Sequence, residues 1–127
     1  MTKKQIVLMV LIVSMAGVTG GCVVAAAGLG AGTVAYVRGD LETMEPKSLD
    51  EVYKAAEKAV KELGLNVSQK TKDAMSAVFV GRDAEDKKIR IKLTAAEDNM
   101  TKLSIRIGLF GNETKSRLIH EHIKKHF

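Results

Sequence analysis

Tryptophan is missing from this 127-residue chain, and its aromatic side chains are two tyrosines and three phenylalanines. A surface that stacks single-stranded bases needs exposed rings, so the shortage speaks against a nucleic-acid partner. Cysteine occurs once, as Cys22, which excludes an internal disulfide and leaves cohesion to packed Val, Ile, Leu and Ala. Proline also occurs once, as Pro46, where it marks the end of a strand. A catalytic signature is lacking too. Ser14, Ser48, Ser68, Ser76, Ser104 and Ser116 sit in no nucleophile-elbow pattern, and the carboxylates fall in turns and on helix surfaces. The chain therefore reads as non-enzymatic, with no cofactor expected beyond a covalent lipid.

Charge is absent from Ile6 through Val37. Lys3 and Lys4 precede an apolar run that ends in Val18-Thr19-Gly20-Gly21-Cys22. A basic start, a short apolar core and small residues at a cut site describe a secretory signal, and a cysteine directly after them resembles a bacterial lipobox. Gly20 and Gly21 give a peptidase an unhindered extended segment, and Cys22 supplies a thiol for acylation. Position −3 is Thr19, where Leu is commonest, and the apolar residue stands one step earlier as Val18. Residues 1–21 are then the signal peptide, and diacylglycerol and an N-acyl chain such as palmitate are expected on Cys22, each buried CH₂ contributing ~0.8 kcal/mol of membrane affinity. Val23, rather than Asp, follows the cysteine; by resemblance to Gram-negative sorting this favours the outer membrane over the inner, on the periplasmic side. The alternative is that 6–37 forms a transmembrane helix, since ~20 apolar residues suffice to cross a bilayer. Gly17-x-x-x-Gly21 and Gly28-x-x-x-Gly32 match packed membrane helices. Against it stand the many glycines, each ~1 kcal/mol worse than Ala in a helix.

The formal net charge is +5; loss of Lys3 and Lys4 from 20 basic residues leaves 18 against 15 acidic ones, about +3. That mild excess suits an anionic membrane or polyanionic envelope and is no nucleic-acid signature. About 90 residues after the tether bury somewhat over ~60% of their unfolded surface, enough for one core. The sequons at Asn66, Asn99 and Asn112 would matter only in a eukaryotic secretory pathway.

Residues 22–32 are rich in Ala, Gly and Val and read as a tether; Gly28-x-Gly30-x-Gly32 lacks dinucleotide-fingerprint spacing. The domain is expected over 33–127. Thr33 to Met44 predicts a first strand. Ser48-Leu49-Asp50-Glu51 is a capping box, followed by Leu49, Val52, Ala56, Ala59, Val60 and Leu63 at helical spacing, with Gly64 as the stop. Leu65 to Thr71 and Ala77 to Arg82 predict two strands, and Asp83 to Lys87 a charged turn. Ile89, Ile91 and Leu93 alternate with Lys88, Arg90 and Lys92, and Leu103, Ile105, Ile107 and Leu109 alternate with Lys102, Ser104 and Arg106. Ser116 to Phe127 predicts a closing helix with Leu118, Ile119 and Ile123 facing in. The order β-α-β-β-β-β-α with short connections predicts an α+β two-layer sandwich, a mainly antiparallel sheet of about five strands with the helices on one face.

Tyr36-Val37-Arg38-Gly39-Asp40-Leu41, the capped helix from Leu49, and Ile105-Arg106-Ile107-Gly108 with Gly111 and Ser116 resemble a bacterial family of small lipoproteins carrying a domain of unknown function. The likeness runs from Tyr36 to the C-terminus, and its motifs are structural. The family usually has a glycine in the turn where this chain has Asp86-Lys87. The resemblance implies a lipid-anchored envelope protein and no established activity.

A hairpin loop centred near Asp98 sets Arg90 opposite Arg106, with Lys88, Lys92 and Lys102 on the same face. Like charges directly opposite are destabilising. Two compensations are open: an anion such as a phospholipid head group, lipopolysaccharide phosphate or acidic polysaccharide, or internal pairing with Asp40 and Glu42 on the first strand. His122 and His126, four apart and close to Glu121, could share a helix side as some metal sites do; a solvated pair that complements the helix dipole is the simpler reading, and no metal is expected.

Overall fold

The computed structural model of the protein describes Lys3 and residues 32–127. The expected signal peptide at 1–21 (Lys3 apart), Cys22 and the 22–32 tether apart from Gly32 lie outside the described residues, as does most of the 6–37 span. Among the described residues no helix is long and apolar enough to cross a membrane.

The order is β1 (Val34–Val37), β2 (Asp40–Glu45), α1 (Leu49–Glu62), β3 (Asn66–Lys72), β4 (Ser76–Arg82), β5 (Lys88–Ala95), β6 (Thr101–Ile107) and α2 (Glu113–Lys124). The six strands form one sheet in the spatial order β1-β2-β6-β5-β4-β3, antiparallel throughout. The α+β expectation holds, with six strands in place of five. The extra strand comes from Thr33–Met44, which is a hairpin and not one strand: Arg38 at φ 52 and Gly39 at φ 90 form a two-residue turn whose positive φ values match the right-handed strand twist.

α1 packs on β4 and β5, α2 on β2 and β6, and the helices touch each other. Alternation sorts each strand. Leu41, Ile89, Ile91, Leu93, Leu103, Ile105 and Ile107 point to the helices and are buried, while Lys88, Arg90 and Lys92 point away. From α1 come Leu49, Val52, Ala55, Ala56, Ala59 and Val60, and from α2 come Ile119 and Ile123. The ring of Tyr53 stacks on Phe79 at 5.1 Å between centroids. Leu118 is corrected: it is 52% exposed, one position away from the inward stripe of Ser116, Ile119, His120 and Ile123. Leu109 is corrected as well, for β6 ends at Ile107 and Leu109 stands 79% exposed beyond it.

The ends are chemically specified. The Ser48 hydroxyl accepts from the Glu51 amide at 3.3 Å. After α1, Gly64 at φ +65 allows Gly64 N–H to reach Lys61 O at 3.1 Å and Leu65 N–H to reach Val60 O at 3.0 Å, a Schellman closure. α2 begins three residues earlier than the sequence suggested, because Asn112 accepts from the Lys115 amide at 3.0 Å. Edge strand β3 is largely exposed and carries a bulge between Val67 and Gln69. Its Lys70 and Lys72 reach Glu57 and Asp50 on α1 at 3.5 and 2.7 Å, and such charges discourage edge-to-edge pairing. In the 83–87 turn, Asp86 takes φ 62, a left-handed conformation that glycine adopts more readily than a residue with a Cβ.

Candidate functional site

The face of the sheet turned away from the helices carries the basic residues singled out in the sequence. The β5–β6 register places Arg90 opposite Arg106, Lys92 opposite Ser104 and Lys102 opposite Thr94. On the other side of β6, Asp40 lies opposite Arg106 and Glu42 opposite Ser104. Internal pairing is therefore present for part of the set. Glu42 Oε1 is 3.4 Å from Lys102 Nζ, and Asp40 Oδ2 is 3.4 Å from Arg106 Nη1. On β5, which is not adjacent to β2, Lys88, Arg90 and Lys92 have no carboxylate within ion-pair distance among the described residues. Their other neighbour, β4, offers Val78, Val80 and Arg82, and Arg82 is engaged by the 83–87 turn through Asp86 O at 2.8 Å.

Arg106 differs from the others. Its Nη1 donates to Arg38 O at 2.9 Å, and its Nη2 donates to Leu109 O at 2.6 Å. One guanidinium thus ties the β1–β2 turn to the loop between β6 and α2, with Asp40 supplying the countercharge. The planar fork of arginine can hold two carbonyls and a carboxylate at once, which a lysine ammonium on its flexible stem cannot reproduce. The glycines make this closeness possible. A Cβ on Gly39 would stand 2.7 Å from Phe110 O, and one on Gly111 would collide with Gly39 O and stand 2.5 Å from Tyr36 Oη. Two of the stretches that carry the family likeness, Tyr36 to Leu41 and Ile105 to Gly108 with Gly111, therefore meet in a single knot.

Beside the knot lies a half-open depression of about 350 Å³, lined by Lys88, Arg90, Arg106, Gly108 and Leu109. Three of the five basic residues marked from the sequence come together there. Lys92 continues the strip along β5, and Lys102 belongs to the Glu42 pair.

A second polar group was not foreseen. On the inner side of β2, Thr43 and Glu45 follow Leu41 at two-residue steps and are buried. Glu45 Oε1 accepts from Thr43 Oγ1 at 2.8 Å and sits 2.5 Å from His120 Nε2 on α2. Burial pushes the Glu45 carboxyl up, but the bonds from His120 and Thr43, with the charges of His120 and Lys124, outweigh it and leave it below its ordinary 4.5. One turn before His120, Ser116 is fully buried and its Oγ has no hydrogen-bond partner. The pair fastens α2 to β2. The signal was available: Glu45 shares the parity of Leu41, and His120 lies between the inward positions Ile119 and Ile123.

His122, on α2, and His126, in the turn just past its end, both face Glu62 of α1, His122 Nδ1 at 3.5 Å from Oε2 and His126 Nε2 at 2.9 Å from Oε1; the one helix expected to carry both histidines stops before the second. The approach of His126, opposed by slight desolvation and assisted by His122, holds the Glu62 carboxyl below its ordinary 4.5. Among the described residues no group of three or more His, Cys, Asp or Glu side chains is placed to hold a metal ion.

No curated protein matches the chain. Residues 4–126 match the family model described as "Protein of unknown function (DUF3568)". With nearly its whole length covered, and the knot of Tyr36–Leu41 with Ile105–Gly111 inside the match, the chain belongs to that family of proteins of unknown function.

Proposed function

We propose that this protein is a bacterial envelope lipoprotein, acylated at Cys22 and held on the periplasmic side, at the outer membrane in preference to the inner, whose domain binds anionic groups and catalyses nothing. The observation that carries the binding part is the uneven pairing of the outer sheet face. Lys102 and Arg106 have acidic neighbours, whereas Lys88, Arg90 and Lys92 stand along β5 without one among the described residues. Arg90 also faces a second arginine, an arrangement that an arriving phosphate or carboxylate relieves. The lipobox-like Gly20-Gly21-Cys22 supports the anchor.

Metabolic labelling with a palmitate analogue tests the anchor: incorporation is expected in the native chain and lost in Cys22→Ser, and labelling that survives the substitution ends the lipoprotein reading. For the face, fluorescent polyphosphate is titrated against the full-length Cys22→Ser protein and against the same protein with Lys88→Glu, Arg90→Glu and Lys92→Glu. Arg106 is left intact because it holds the knot. Weaker, salt-sensitive binding by the triple variant is expected, and equal binding refutes the basic face.

A further inference from the structure

The loop between β6 and α2 exposes the two least covered large apolar side chains among the described residues. Leu109 is 79% and Phe110 is 86% exposed, adjacent in sequence and bracketed by Gly108 and Gly111. Val37, half-exposed at the end of β1, precedes the turn on which Phe110 rests. Single exposed apolar residues are ordinary, but a contiguous pair at a projecting loop is a mark of an interaction surface.

The backbone beneath the pair is fixed. Leu109 O accepts from Arg106 at 2.6 Å, Phe110 O is pressed against Gly39, and Gly111 fits against Gly39 and Tyr36 with no room for a side chain. A tip held this way loses little conformational freedom when its side chains are buried by a partner. The surroundings identify that partner. Leu109 forms one wall of the depression whose other walls are Lys88, Arg90 and Arg106, and Arg38 is exposed in the adjoining turn. The acidic groups nearby are already engaged, Asp40 by Arg106 and Glu113 by Arg117 at 2.7 Å. An apolar tip ringed by cations matches the boundary of a bilayer, where acyl chains lie beneath anionic phosphates.

We infer that the loop Gly108–Gly111 is a membrane-docking tip, in which Leu109 and Phe110 enter the acyl region of an anionic bilayer while Lys88 and Arg90 take a lipid phosphate in the depression. The inference deepens the anion-binding reading of the same face and rests on it. Reach is no obstacle. The tip lies at the opposite end of β1 from Gly32, a run of about 15 Å, and the residues from Val23 to Gly32 can extend to at most ~35 Å. An anchor at Cys22 is therefore long enough for the tip to meet the same membrane.

The absence of native tryptophan provides the experiment. Full-length Phe110→Trp, with and without Cys22→Ser, is mixed with vesicles of phosphatidylcholine containing one quarter phosphatidylglycerol. Its emission is expected to move to the blue and to be quenched by brominated acyl chains. Leu109→Trp is the second reporter, and Leu118→Trp, exposed on α2, is expected to keep its aqueous spectrum. Removing two basic contacts with Lys88→Glu/Arg90→Glu is expected to weaken vesicle binding by roughly 30-fold or more. If the Phe110→Trp and Leu109→Trp reporters both stay aqueous on these vesicles while polyphosphate still binds the basic face, the docking tip is overturned and the anion-binding reading stands. A blue shift of the same size on pure phosphatidylcholine, or one untouched by the charge reversals, overturns the anionic-bilayer assignment together with the basic face. A blue shift that grows with protein concentration in the absence of vesicles assigns the tip to a second copy of the chain and also overturns the inference.

Discussion

Gly111→Ala should be among the most damaging single-methyl additions in the molecule. The residue sits at φ +84, where an L side chain costs ~1–2 kcal/mol against the following carbonyl. The new Cβ would also collide with Gly39 O and lie 2.5 Å from both Gly39 Cα and Tyr36 Oη. Two of those three atoms are backbone, in a turn that Arg106 clamps through Arg38 O, so no side-chain rotation relieves the contact. Overpacking of that kind adds ~1–3 kcal/mol, for a total of ~2–5 kcal/mol. Gly64→Ala is the matched control. Gly64 has φ +65 but nothing within 4 Å of where an added methyl would stand, so it carries the backbone cost alone.

Urea unfolding of the full-length Cys22→Ser background, followed by far-ultraviolet circular dichroism, separates the two. With a slope near ~1.5 kcal/mol/M, Gly111→Ala should lower the midpoint by ~1–3 M and Gly64→Ala by ~1 M. Domains of this size have only ~5–15 kcal/mol in hand, so the first change consumes a large share. Equal midpoints for the two variants would refute the reasoning, because they would show that the Gly39–Gly111 contact yields without cost. The knot could not then hold the 108–111 loop rigid.

Glu45→Gln should cost ~1–3 kcal/mol at pH 7 and flatten the acid limb of stability. The folded-state carboxyl lies below 4.5, so its contribution is full above pH 4.5 and is lost as pH falls through that lower value; parallel stability curves for native and variant chains between about pH 7 and 3 would discount the Glu45–His120 bond. Ile119→Ala should destabilise by ~2–5 kcal/mol, while Leu118→Ala, at 52% exposure, should stay within ~0.5 kcal/mol; the reverse order in denaturant titrations would mean α2 is rotated. Arg90→Glu should raise stability by a few tenths to ~1 kcal/mol by removing the like-charge pair with Arg106 while weakening anion binding, and a loss of stability would show that Arg90 is already neutralised within the fold.

The parts of the fold that could be read from the sequence are those with local periodicity. Lys88 to Leu93 and Lys102 to Ile107 alternate so cleanly that both the strands and the Arg90–Arg106 register follow from one loop position at Asp98. Ser48 and Gly64 bracket α1 with their own chemistry. The β1–β2 turn escaped because Arg38-Gly39 is not the Asn-Gly or Asp-Gly pair that advertises such a turn, and because apolar and β-branched residues continue on both sides of it. Leu109 continued the β6 alternation in sequence although Gly108, at φ 72, had already broken the strand. Leu118 was misplaced because it is apolar and adjacent to Ile119, although on a helix that one position turns it away from the buried stripe of Ser116, Ile119, His120 and Ile123. The site was half legible: which residues share a face follows from parity, but their pairing does not. Arg106, Lys102, Arg90 and Lys88 look alike in the sequence. Only the position of β2 beside β6, a contact across about sixty residues of chain, gives the first two acidic neighbours and leaves the others bare.

That asymmetry also divides the labour among the cations. Arg106 has its guanidinium committed to Arg38 O, Leu109 O and Asp40, so its removal should disturb the loop before it disturbs any ligand. Lys88 and Arg90 carry no such structural duty among the described residues, and Arg90 sits where a neighbouring arginine makes it unfavourable. A sheet selected for stability alone would place a neutral or acidic residue opposite Arg106 on β5 as it does on β2. The strand instead keeps a cation there, next to a rigidly presented Leu109 and Phe110, and both features cost the isolated fold something. Under the proposed docking both are offset together by one kind of contact, a surface that offers negative charge and hydrocarbon within a few ångströms of each other.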